Sequence, residues 1–287
     1  MRSTADADRR SPETAPPSEA ELERAKRDVV ALKLSATGSG WSPLLRQRFG
    51  YFTPDEWYEA TLSCLVGPET TWLDVGCGRS ILPANPPLSA RLAARARLVV
   101  GLDPSDNIDS NTEVHERAKC LLEDYRTDRR FDLLTLRMVA EHITDPAAAV
   151  AALARLAKPG GRVVVYTVSR WSPASLLAAA TPMAVHHWLK RVLWRASPQN
   201  TFPTAYRMNT RATLSRQFAA AGFAEERFHY LDDCRSLARW RLTATLELAL
   251  WRALRGLGLR YPELCLLAIY RRLPDDVGAG ASPGSAA

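Results

Sequence analysis

The chain has 287 residues, 46% of them hydrophobic, which is enough for one or two domains with a sizeable core. Its 38 basic and 31 acidic residues leave a formal net charge of +7, and no Lys/Arg cluster interleaved with aromatics appears. The excess therefore reads as a solvated face ahead of a nucleic-acid surface. Five cysteines (Cys64, Cys77, Cys120, Cys234 and Cys265) include no Cys-x-x-Cys pair; they read as reduced thiols, against a zinc site or a disulfide framework. With no apolar leader and no stretch of the roughly 18 residues a spanning helix needs, the expectation is a cytoplasmic protein.

Residues 1–18 are charged, proline-containing and poor in large apolar groups, the composition of a disordered tail. Residues 19–34 carry a helical pattern that stops at Gly38-Ser39-Gly40. Thr53-Pro54-Asp55-Glu56 is a helix start: a hydroxyl cap, proline at the first position and two acids in the first turn. The helix brings Trp57, Tyr58 and Leu62 toward the first strand. Tyr51 and Tyr58 are candidates for a lid, although core packing is the favoured reading.

Thr71-Trp72-Leu73-Asp74-Val75-Gly76-Cys77-Gly78 reads as a short buried strand running into a glycine turn. A helix is expected over 88–96. Leu98-Val99-Val100-Gly101-Leu102-Asp103 is a second apolar run ending in an acid, and a carboxylate there can accept two hydrogen bonds from ribose hydroxyls. A dinucleotide fingerprint would place a third glycine where Ile81 stands. Pro83, Pro86 and Pro87 follow, which argues against a pyrophosphate cradle.

Further along, a helical stretch is expected from Asp106 through Ala118, and Cys120-Leu121-Leu122 reads as the third strand. The fourth spans 131–137. Asp145-Pro146 caps a helix, and Gly160-Gly161 turns the chain into the fifth strand, 162–167. The segment 172–209 is longer than a crossover requires and reads as a helical insertion roofing a substrate site. Thr210 caps a helix ending at Ala221-Gly222. Strand six is expected over 223–230, a helix over 237–257 and strand seven over 264–270. The tail 275–287 is Gly/Ala/Ser/Pro-rich and is expected to be disordered. Alternating strands and helices over 19–274 predict a single α/β domain on a doubly wound sheet.

Asp74-Val75-Gly76-Cys77-Gly78, Asp103, Phe131-Asp132 with Glu141-His142, and Lys158-Pro159-Gly160-Gly161 stand in the order of four motifs. In this the chain resembles the class I S-adenosylmethionine-dependent methyltransferases, in their small-molecule branch. The resemblance implies a Rossmann-like seven-stranded sheet, mostly parallel with the last strand antiparallel, and S-adenosylmethionine as cofactor. It implies that Asp74 reaches the methionyl ammonium, that the main chain of Gly76, Cys77 and Gly78 lines the ligand, and that Asp103 holds the ribose. Relatives place an acid against adenine at the position of Leu121; here Leu122 and Glu123 stand close by and would serve through backbone and apolar contact. Arg79 is a candidate for the cofactor carboxylate. The resemblance further implies that Arg137, at the end of strand four, stands against the transferable methyl.

His142 is the best candidate for a general base, since imidazole suits proton transfer near neutral pH; a turn histidine bonding backbone is the competing reading. His186 and His187 lack further ligands for a metal. The absence of Asn/Asp-Pro-Pro-Tyr/Phe after strand four argues against a base-methylating enzyme. The expected activity is methyl transfer to a small molecule. An RNA- or protein-modifying enzyme and a non-catalytic cofactor-binding subunit stay open, as does the oligomeric state. The helical stretch 242–257, with Trp251, Arg252 and Arg255, has basic edges and suits either core packing or contact with a membrane surface.

Overall fold

A computed structural model describes residues 15–33, 42–173, 175, 176, 204–235, 237, 238 and 240–274. Most of the expected insertion, His186 and His187, and the terminal segments 1–14 and 275–287 lie outside the described residues.

Three helices lead in: α1 (Glu19–Lys33), α2 (Pro43–Phe49) and α3 (Pro54–Leu65). The start of α3 is a full capping box: Glu56 N–H donates to Thr53 Oγ1, and Thr53 N–H donates to Glu56 Oε2. The strands are β1 (Thr71–Val75), β2 (Leu98–Leu102), β3 (Glu116–Ala118), β4 (Phe131–Arg137), β5 (Ala157–Val168), β6 (Phe223–Asp232) and β7 (Leu264–Arg272). Between them run α4 (Pro86–Arg95), α5 (Pro146–Leu156), α6 (Arg211–Ala220) and α7 (Arg241–Gly256).

The strands form one sheet in the order β3-β2-β1-β4-β5-β7-β6, with β7 antiparallel to both neighbours and the rest parallel. Alternate residues serve opposite faces. Trp72, Val99, Leu133, Val164, Tyr166, Leu267 and Ile269 pack under α1, α3 and α4. Leu73, Val100, Leu134, Val163, Val165, Leu266 and Tyr270 pack under α5 and α6. A third cluster joins α2 to α7 through Leu45, Tyr51, Cys234, Ala244, Leu248 and Trp251. Strand order reverses between β2-β1 and β4-β5, so the carboxyl ends of β1, β2 and β4 border the crevice where such sheets bind ligands.

Three expectations along the chain are corrected. The third strand is Glu116–Ala118, paired with Val100, Gly101 and Leu102, and not residues 120–122. An edge strand needs little apolar content, whereas Leu121 is exposed and Leu122 enters the core from a 3-10 turn over Leu122–Asp124. The helix expected from Asp106 is one 3-10 turn, Asp106–Ser110, because β3 claims the residues that would have extended it. Strand β5 also begins earlier than residue 162: Ala157 pairs with Phe131, and a bulge with Gly160 at φ 80° carries the glycine turn.

Candidate active site at the carboxyl edge of the sheet

β1 delivers Asp74 and then bends through Gly76, at φ 72°, and Gly78, at φ 49°. A Cβ on Gly76 would overlap the Val139 side chain, so this turn closes against the loop after β4 only because no side chain is there. Gly76 and Cys77 both donate their N–H to Leu102 O, at 2.6 and 3.2 Å. Gly78 N–H donates to Asp103 Oδ2 at 2.9 Å, and Asp103 Oδ1 accepts from Ser105 N and Oγ at 2.8 and 2.6 Å. Asn111, fully buried, donates from Nδ2 to Cys77 O and Gly78 O at 3.4 and 3.2 Å. The turn is thus fastened to the end of β2, and Asp74 and Asp103 lie on the same edge of neighbouring strands.

Sequence reasoning passed over the residues that fasten the turn. Asn111 is one; Glu113 is another, accepting from Ile81 N, Ser80 Oγ and Ser89 Oγ at 2.8, 2.9 and 2.5 Å. Thr135 is the third. It accepts from Trp72 Nε1 at 2.7 Å and donates to Asp74 Oδ1 at 2.5 Å. A hydroxyl in the middle of the apolar run 131–137 was the available signal, because a buried hydroxyl requires partners.

Asp74 is 2% exposed. Burial pushes its carboxyl up to about 7, and the Thr135 hydrogen bond and the Arg137 charge offset only part of this. Among the described residues, Thr135 provides its one side-chain hydrogen bond and no lysine or arginine pairs with it. A buried carboxylate lacking a cation of its own is suited to a cationic ligand.

Arg137, expected against the ligand, is paired with Asp55: its Nη2 meets Asp55 Oδ1 at 3.0 Å, and Arg235 Nη1 meets Asp55 Oδ2 at 2.8 Å. Burial raises the Asp55 carboxyl, but the two guanidinium groups outweigh it and hold the carboxyl below its usual range. Arg235 also forks onto Asp233 through two bonds of 2.6 Å. Tyr58 and Tyr166 stack with centroids 5.3 Å apart on the same side, both fully buried. Tyr51 is equally a core residue, its hydroxyl donating to Asp232 O and accepting from Cys234 N. Tyr51 and Tyr58 therefore pack the interior instead of forming a lid.

After β4 the chain turns tightly, with Met138 at φ 52° and His142 N–H donating to Val139 O at 2.9 Å. Glu141 turns inward, accepting from Thr167 Oγ1 at 2.6 Å, and burial raises its carboxyl. His142 is half-buried beside it. Leu122 is buried in the core and Glu123 half-buried on the following 3-10 turn. Arg79, exposed, donates from Nε to Asn107 Oδ1 at 2.9 Å. The Cys77 thiol is buried beneath Gly101, and burial pushes its pKa up, out of the reactive range. No group of three metal-ligating side chains occurs among the described residues.

A family model described as a methyltransferase domain matches residues 35–226. The chain belongs to the class I S-adenosylmethionine-dependent methyltransferases. Two thirds of this methyltransferase, including every residue of the turn and both acids, fall inside the match. Among curated proteins it is 35% identical over 139 residues to the ubiquinone biosynthesis O-methyltransferase of Rhodopseudomonas palustris strain BisB18, covering 46% of this chain and 52% of the relative. It is 34% identical over 137 residues to the protein of the same name from Hahella chejuensis, covering 41% and 55%. The methyltransferase thus spans about half the length of the curated relatives it matches. Of solved structures, geranyl diphosphate C-methyltransferase from Streptomyces coelicolor A3(2) aligns with a TM-score of 0.48 at 18% identity, over 90% of each chain.

Proposed function

We propose that this chain transfers a methyl group from S-adenosylmethionine to a small-molecule acceptor. The observation that supports the reading best is Asp74: a carboxylate sealed at the end of β1, beside a side-chain-free turn and one strand from Asp103, with no lysine or arginine paired to it among the described residues. The donor set fits the cofactor. Asp74 would hold the methionyl ammonium, Asp103 the ribose hydroxyls, and Gly76 and Gly78 would let the ligand approach the backbone. Leu122 and Glu123 would border the adenine.

Bound there, the sulfonium supplies an electrophilic methyl, and the chain's task is to align a nucleophile and exclude water. The turn after β4 would serve that task. Glu141 is locked by Thr167, and Asn209 donates to the same Thr167 hydroxyl at 2.8 Å, so the turn is tied to the segment before α6. His142, half-buried on this turn, would take a proton from a hydroxyl acceptor. The small-molecule names of the relatives support the acceptor class. Calorimetric titration with S-adenosylhomocysteine tests the binding half: Asp103→Ala should weaken affinity at least about tenfold, the effect of losing one charge-assisted bond. Labelled-methyl transfer into a metabolite extract tests the second half, and label appearing only in RNA or protein would overturn it.

A further inference from the structure

Helix α7 is apolar on two opposite sides. Ala244, Glu247, Leu248 and Trp251 face inward onto Tyr51 and Cys234. At four-residue spacing, Leu242, Leu246 and Leu250 form a stripe on the outside, exposed to 72, 59 and 53%, and Leu257 continues it at 74%. Trp240 at the start of the helix and Leu259 beyond its end are also exposed. A contiguous run of large apolar side chains of this kind marks an interaction surface.

The charges around the stripe identify what covers it. Between residues 240 and 260 the sequence holds four arginines, Arg241, Arg252, Arg255 and Arg260, and a single acid, Glu247. All four arginines are exposed. Glu247 is 2% exposed and spent internally, accepting from Leu237 N–H at 2.8 Å and from the Tyr261 hydroxyl at 2.7 Å. Asp232, the neighbouring carboxylate, accepts from Trp251 Nε1 at 2.8 Å. A second copy docked on this stripe through its own α7 would bury the leucines but bring no carboxylate to the arginines. An anionic bilayer surface satisfies both: acyl chains for the leucines and phosphate headgroups for the guanidinium groups. Arg255 and Arg260 lie over the rings of Trp251 and Tyr230, at 5.2 and 4.4 Å from the centroids, which sets their positions at the rim.

We infer that α7 is a membrane-surface element, seating the chain on anionic lipid through Leu242, Leu246, Leu250 and Leu257 with Arg241 and Arg252 on the phosphates. The helix follows β6, and β6 runs parallel to β5 because both are antiparallel to β7. The seated element therefore lies at the same edge of the sheet as Asp74 and Asp103. The inference does not depend on which molecule is methylated.

The test is co-sedimentation of the full chain with vesicles of phosphatidylcholine alone and of phosphatidylcholine mixed with phosphatidylglycerol. Binding is expected to the mixed vesicles, reduced by salt. Leu246→Glu with Leu250→Glu should abolish it without lowering the melting temperature, since both side chains are exposed. Arg241→Gln with Arg252→Gln should weaken it by about five-fold per arginine. No binding to either vesicle, or binding that these variants leave intact, overturns the inference. So does a dimer seen by light scattering that the leucine variants dissolve while vesicles capture nothing.

Discussion

Replacing Asp74 by asparagine should move stability and ligand affinity in opposite directions. The unfolded chain ionises this carboxyl near 3.8, while the ligand-free folded chain keeps it protonated up to about 7. Between those values the folded state holds a proton that the unfolded state has released, so rising pH costs stability. At 1.36 kcal/mol per unit the gap amounts to about 4 kcal/mol above pH 7. A neutral amide in its place would have no such loss and would keep an acceptor for the Thr135 hydroxyl. Asp74→Asn should therefore raise the melting temperature of ligand-free protein by several degrees at pH 8, and by much less at pH 5. In the same variant S-adenosylhomocysteine should bind about 10- to 100-fold more weakly at pH 8, because an amide cannot match a carboxylate against an ammonium. In the parent chain, affinity should climb with pH and level off above about 7, as the carboxyl ionises. Thermal melts and calorimetry across pH 5–8 check both halves. A melting temperature lowered equally at pH 5 and pH 8, with affinity unchanged, would refute the reasoning.

Thr135→Val removes the donor to Asp74 and leaves Trp72 Nε1 without its acceptor; a loss of about 1–3 kcal/mol in urea unfolding is expected, with the pH midpoint of ligand binding moved upward. Gly76→Ala faces both a left-handed backbone and the Val139 side chain. It should cost at least about 1–2 kcal/mol for the backbone alone, and adding Val139→Ala should recover only the remainder. His142→Gln should lower the turnover rate while leaving S-adenosylhomocysteine affinity unchanged; an unaltered turnover rate would leave His142 as a turn residue.

The turn after β1 was legible because its demands fall on residue type. The bend calls for Gly76, at φ 72°, and Gly78, at φ 49°, and a strand that ends in a carboxylate stands out against Leu98–Leu102. Helix starts were equally readable, since Thr53, Asp145 and Thr210 announce themselves as caps. The third strand was not, because Glu116–Ala118 owes its conformation to pairing with β2 and carries no apolar pattern of its own. Nor were the partners of the buried charges. Asp55 and Arg235 are 180 positions apart, and nothing in either local sequence signals that they meet across Arg137. Thr135 was signalled only as a lone hydroxyl in an apolar run; that its partners are Trp72 and Asp74 depends on the pairing of β1 with β4.

The clasp between Tyr51 and the end of β6 has a further consequence. Its hydroxyl reaches 181 and 183 positions along the chain, and Glu19 meets Arg227 across 208. On a nascent polypeptide, α1 and α3 can already pack on α4 and the first strands, while α2 waits for its partners in β6 and α7. Early-made segments with late-made partners are exposed to chaperones and proteases for most of the synthesis time. Shortening the segment between β6 and β7 should therefore be felt first at α2.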